Sequence, residues 1–153
     1  MDISRYQIES AIRGDSEEDT LLLRKMAVGA RNYMSSFDWC SSELQLYLAY
    51  GVGGVVGVFI AELEKPPNER DKFLWVIQGD LPSAYLVTDE AQEPAAALVA
   101  YCRLMDDWIR AVREGTDLNM VFPVASDPIA TSADSLEGRI SFLRQRIIPR
   151  ILT

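Results

Sequence analysis

The sequence predicts an α+β fold: a short three-stranded antiparallel sheet with helices before and after it, and a single layer of helices packed on the sheet. Two observations carry this reading. Between Val55 and Thr88 the chain has three β-prone runs divided by turn-forming residues, and on either side of that block apolar residues recur at helical spacing. At 153 residues the chain fits one domain, 1–153, and buries roughly two thirds of its unfolded surface.

In chain order, Ile3–Arg13 reads as a short helix and Asp15–Phe37 as a longer one. Ser16 is placed to cap the second, with Glu17, Glu18 and Asp19 in the first turn, where the helix dipole favours anions. Leu22, Leu23, Met26, Ala27, Ala30, Tyr33, Met34 and Phe37 then form its core stripe. The acidic first turn is read as capping, since no second carboxylate cluster is placed beside it.

Leu44–Leu63 is about long enough to span a bilayer and contains only Gln45 and Glu62 as strongly polar residues. It divides more naturally into a helix Glu43–Tyr50, stopped by Gly51, and a buried strand Val55–Glu64. No membrane span is therefore expected. Gly51, Gly53, Gly54 and Gly57 do not form a nucleotide-binding loop: counted from Gly51, the third required glycine is Val56. They read as a tight turn.

The other two strands are Lys72–Gln78 and Ala84–Thr88. The first connection, 65–71, is polar and proline-rich, as suits a solvent-facing loop. The second is tight, with Gly79 suited to a positive φ and Asp80 to bonding nearby amides. A proline-led helix starts at Glu93-Pro94 and ends at Gly115, with Leu98, Tyr101, Cys102, Met105, Trp108, Ile109 and Val112 in one stripe expected to pack on the sheet. Asp106 and Asp107 fall elsewhere on this helix and read as surface partners of Arg110. Residues 116–131 form a long irregular stretch in which Pro123 argues against a central strand. The last helix, Ser132–Ile148, places Leu136, Ile140, Leu143 and Ile147 on one face, and Arg139, Arg144, Arg146 and Arg150 follow Gly138 without an acid.

Composition excludes several functions. The chain has no histidine, so Ser-His-Asp and Cys-His nucleophiles are out, and with them the usual zinc sites. Cys40 and Cys102 make no C-x-x-C pair and read as free thiols of a reducing cytoplasm. No signal peptide is expected, since Met1–Arg13 is polar and acid-containing. A formal charge of −8 argues against a phosphate-backbone ligand, so no nucleic acid is expected as a partner. The charge is uneven: residues 1–100 hold 16 acids against 8 bases, while 101–153 hold 7 against 7.

The run Trp75–Tyr85, W-V-I-x-G-D-L-P-x-x-Y, resembles the W-W-V-I-S-G-D-L-P-like strand-turn motif of a family of small uncharacterised bacterial domains. Trp39, with Tyr47-Leu48 on a helix, and the proline-led helix Pro94–Trp108 fit that resemblance, which covers roughly residues 37–112. Leu74 stands where the family commonly has a second Trp, and Gln78 where it commonly has Ser. The resemblance implies a soluble α+β domain and supplies no catalytic residue. Trp39, Trp75, Gly79, Asp80, Pro82, Tyr85 and Trp108 are accordingly read as fold-making residues.

With no catalytic constellation, no cofactor and no metal expected, the sequence points to a non-enzymatic cytoplasmic binding protein. Its sharpest form is an immunity-type protein that occludes a cognate basic toxin, with Glu69, Asp71, Asp80, Asp89, Glu90 and Glu93 as the contact residues. The alternative is a small carboxylate-dependent enzyme or ligand-binding domain holding Mg²⁺ between Asp80, Asp89, Glu90 and Glu93, which requires three of those carboxylates to converge. A second alternative is a membrane-associated protein.

Overall fold

The computed structural model describes residues 1–40 and 43–153, which gather into two compact units, Met1–Ala97 and Leu98–Thr153. The first unit holds an antiparallel sheet of five strands in the order β1-β2-β3-β4-β5, so each strand pairs with its neighbours in sequence. The strands are β1 (Gln7–Ile8), β2 (Leu44–Val52), β3 (Val56–Leu63), β4 (Phe73–Gly79) and β5 (Ala84–Val87), and helix α1 (Glu17–Ser35) lies between β1 and β2. The fold is α+β as expected, but the sheet has five strands and not three.

Two segments account for the difference. Residues 43–50, expected as a helix, belong to β2. Leu44, Leu46 and Leu48 alternate inward at period 2, and the hairpin with β3 satisfies their backbone in the register Leu44↔Leu63 to Val52↔Val56. Tyr47 and Leu48 therefore lie on a strand, with a bulge at Ala49 between the Leu48 and Tyr50 pairings. Gly53 and Gly54 supply the hairpin turn, in which Val55 N–H donates to Val52 O at 2.9 Å and Gly54 takes φ 77°. Within 3–13, expected as a helix, Gln7 and Ile8 pair with Leu48 and Tyr47, and only Glu9–Ala11 coils, as a 3₁₀ turn. Gln7 staples this segment: its amide accepts from Arg13 N–H at 2.8 Å and donates to Arg13 O at 3.2 Å.

Helix α1 forms where the sequence places it. Ser16 Oγ accepts from Asp19 N–H at 3.0 Å, and Asp19 in turn accepts from Gly53 N–H at 2.7 Å, tying the helix start to the β2–β3 turn. Leu23, Met26, Ala27, Ala30 and Met34 pack with Leu44, Leu46, Leu48, Phe59, Leu74 and Val76 into one core on this face of the sheet. Val58, Ile60, Trp75 and Ile77, on the alternate positions, are also buried, so the central strands are apolar on both sides. Trp75 donates from Nε1 to Ala91 O at 2.7 Å, and its ring lies 6.3 Å from that of Tyr6.

The β4–β5 turn depends on Gly79, which has φ 151°; a Cβ there would stand 2.3 Å from Val55 O. The same carbonyl accepts from Asp80 N–H at 3.1 Å, so Asp80 takes part in the turn by its backbone.

The second unit contains most of α2 (Pro94–Glu114), then α3 (Ala130–Phe142), a π-helical turn Leu143–Ile147 and α4 (Ile148–Leu152). Leu98, Tyr101, Cys102, Met105, Trp108 and Ile109 of α2 are buried, as are Leu136, Ile140, Leu143 and Ile147. Arg113 bridges Asp134 and Glu137, both at 2.7 Å, and Arg144 bridges Asp106 at 2.5 Å, holding α2 beside the C-terminal helices. The final helix differs from the expected Ser132–Ile148: it starts earlier, passes through the π turn and restarts with Pro149 in the first turn of α4, where a missing N–H costs nothing. Residues 116–131 contain one 3₁₀ turn, Leu118–Met120, capped by Asp117, and no strand.

Candidate functional site

An antiparallel meander returns alternate connections to the same end of the sheet. Here the start of β2, the end of β3, the start of β4 and the end of β5 lie together, and the 3₁₀ turn Glu69–Asp71 joins them. That end carries Glu43, Glu62 and Glu64 from the hairpin, Glu69 and Asp71 from the β3–β4 connection, and Asp89 and Glu90 after β5. Against these seven acids stand Lys65, Arg70 and Lys72. The first unit as a whole has 16 acids and 8 bases, so it carries the entire formal −8.

A cleft of about 590 Å³ opens here, lined by Glu43, Leu44, Gln45, Glu62, Leu63, Glu64 and Lys72. Period-2 geometry puts Glu43, Gln45, Glu62 and Glu64 on one face of the hairpin. Glu43 and Glu64 face each other one step beyond the Leu44↔Leu63 pair, where Glu64 N–H donates to Glu43 O at 3.4 Å. Their carboxyl groups are hydrogen-bonded, and that bond, with the repulsion of the Glu64 charge, raises the Glu43 pKa. Beside them Glu62 accepts from Tyr47 OH at 3.2 Å and lies 3.8 Å from Lys72 Nζ.

This carboxyl pair suits a cation. The two carboxyls face each other and the Glu43 pKa is raised, so an ammonium or guanidinium group placed between them relieves their repulsion. The pair also has a signature in the folded protein alone. Because the folded Glu43 pKa lies above its unfolded value, the contribution to stability is full below the ordinary glutamate range, about 4.3, and is lost as pH rises through the raised value. Glu43→Gln is therefore expected to raise the melting temperature at pH 7 and leave it unchanged in acid. Equal shifts at both pH values would show that the two carboxyls are not coupled.

The sheet sorts the residues expected to bind a partner. Glu69, Asp71, Asp89 and Glu90 come together at this end, and Arg70 bridges to Asp89 at 2.7 Å across it. Asn68 fixes Asp71, accepting from its N–H at 3.0 Å and donating to its carboxylate at 2.9 Å. Asp80 lies at the opposite end of β4, a seven-residue strand, hence roughly 20 Å away. Glu93 is engaged by Arg5, with both oxygens at 2.5–2.6 Å from the guanidinium. Among the described residues no three His, Cys, Asp or Glu side chains are grouped to hold a metal ion. Glu43, Glu62 and Glu64 were not among the expected site residues; the Leu44-Leu46-Leu48 alternation was the signal that would have found them.

Trp39, 37% exposed, packs 5.3 Å from Tyr85 and is stacked on Phe37, and Tyr33 completes the cluster. Burial, with the nearby Tyr85, pushes the Tyr33 hydroxyl up to about 12. Pro82 lies in the β4–β5 turn and Trp108 is buried in the second unit. Cys40 and Cys102 are buried; burial raises both thiols, Cys102 to about 11, which leaves little thiolate for nucleophilic chemistry. No helix among the described residues is long and apolar enough to cross a membrane. Comparison of the chain with protein-family models, curated proteins and solved structures found no match.

Proposed function

We propose that this protein is a non-enzymatic cytoplasmic binding protein of the immunity type, which uses the acidic end of its sheet to occlude a cognate basic bacterial toxin. The observation that supports this is the gathering of seven carboxylates against three bases at one sheet end, around an open cleft in which Glu43 and Glu64 face each other. A field of one sign steers an oppositely charged partner and raises its association rate by about 10 to 1,000-fold at low ionic strength. The cleft then offers carboxylates to the partner's lysines or arginines, as charge-assisted hydrogen bonds.

The test is affinity capture from the native cell at low salt, followed by association kinetics with the captured protein as salt is raised. The expected result is a basic partner whose on-rate falls steeply with ionic strength and whose toxicity is neutralised in the complex. A chain that captures no basic protein, or one whose capture is indifferent to salt, would overturn the reading.

A further inference from the structure

The end of the second unit holds two cations that the fold leaves unpaired. From Arg139 to Thr153 the chain has four arginines and no acid. Arg139 donates to Ser135 and Arg144 bridges Asp106, whereas the exposed side chains of Arg146 and Arg150 make no hydrogen bond or ion pair among the described residues. Phe142, 46% exposed, precedes them at the same four-residue step. In a plain α-helix each such step overshoots a full revolution by about 40°, and the wider π turn Leu143–Ile147 takes up that surplus. Phe142, Arg146 and Arg150 are thereby drawn into one outward row, while Leu143, Ile147 and Ile148 turn into the core.

We infer that this row docks, head to tail, on the acidic sheet end of a second copy of the chain, with Arg146 and Arg150 set against Glu64, Glu69 and Glu90. Charge complementarity chooses the occupant. The three acids are exposed, and Glu69 and Glu90 make no hydrogen bond or ion pair among the described residues, so each surface holds the charges that the other lacks. An anionic bilayer fits less well, because an interfacial helix needs a free apolar face and here that face is buried in the core. The contact joins two different surfaces, so it can extend from copy to copy. The inference goes beyond the basic-partner reading: the second copy and a basic partner compete for the same acidic end.

The experiment is sedimentation equilibrium of the full chain at ionic strengths of about 0.01 and 0.15 M, between which the Debye length falls from about 30 to 8 Å. The expected result is concentration-dependent self-association, about tenfold weaker at the higher salt. Arg146→Gln with Arg150→Gln should be monomeric, and so should the exchange of Glu64, Glu69 and Glu90 for lysine. An equal mixture of these two variants should form a heterodimer that grows no further, because each supplies the surface that the other has lost. Arg13→Gln with Lys25→Gln removes the same charge at exposed cations of neither surface and should associate like the parent. Chemical shifts of the parent on dilution, moving at residues 142–150 and at Glu64, Glu69 and Glu90, read the contact without substitution. A monomeric parent at low salt, a mixture that stays monomeric, or a control pair as monomeric as the arginine pair would overturn the inference. Binding of the parent to phosphatidylglycerol vesicles in place of self-association would overturn the second copy as occupant. Each of these failures leaves the basic-partner reading standing, since salt-dependent capture tests it separately.

Discussion

Trp75→Ala is expected to destabilise the protein by about 3–5 kcal/mol, the range for removing a large buried aromatic side chain. Trp75 lies in β4, a central strand, with its side chain fully buried. Its loss opens a cavity that the paired strands β3 and β5 cannot close without breaking their register. It also leaves the Ala91 carbonyl without the indole N–H that it accepts at 2.7 Å. Trp75→Phe separates the two contributions, because it keeps most of the ring volume and removes the donor; its expected cost is about 1–3 kcal/mol. Urea titrations check both, with an unchanged slope and a lower midpoint. If the phenylalanine variant is as unstable as the alanine one, the hydrogen bond that anchors 89–93 dominates over burial.

Trp75 also marks how far the sequence could be read. The elements that carry their own local signal are found close to where they are expected: α1 from its Ser16 cap and core stripe, β3 and β4 from their β-branched runs, α2 from Pro94 and Gly115, and the β4–β5 turn from Gly79. Residues 43–50 fail because their period-2 leucines compete with a good helical composition and a glycine stop. What decides for the strand is the partner β3, a non-local fact. The two residues of β1 are too few for any periodicity to register. The same error hides half of the acidic end. Glu69, Asp71, Asp89 and Glu90 are legible as loop acids, whereas Glu43 meets Glu64 only once β2 is paired in register. Asp80 and Glu93 look like neighbours of Asp89 along the chain, yet one strand length removes the first and Arg5 holds the second. Trp39 and Tyr85, 46 positions apart, are joined by packing that their order along the chain does not reveal.

Exchange of Glu64, Glu69 and Glu90 together for lysine is expected to lower the association rate with the basic partner by about a hundredfold at low salt, and by far less at high salt. All three side chains are exposed, and each exchange adds two positive charges, so the formal charge falls in magnitude from −8 to −2. The variant should fold as well as the parent, since a lysine at 64 faces the Glu43 carboxyl in place of a second acid and removes the repulsion that raises the Glu43 pKa. Stopped-flow association over a salt series, beside a melting curve of the variant, reads both. The rate of dissociation distinguishes steering from contact: a change confined to association means that these carboxylates act through their field, whereas faster dissociation means that they bond the partner directly. An association rate unchanged at low salt, in a variant that melts normally, would remove the acidic sheet end from recognition.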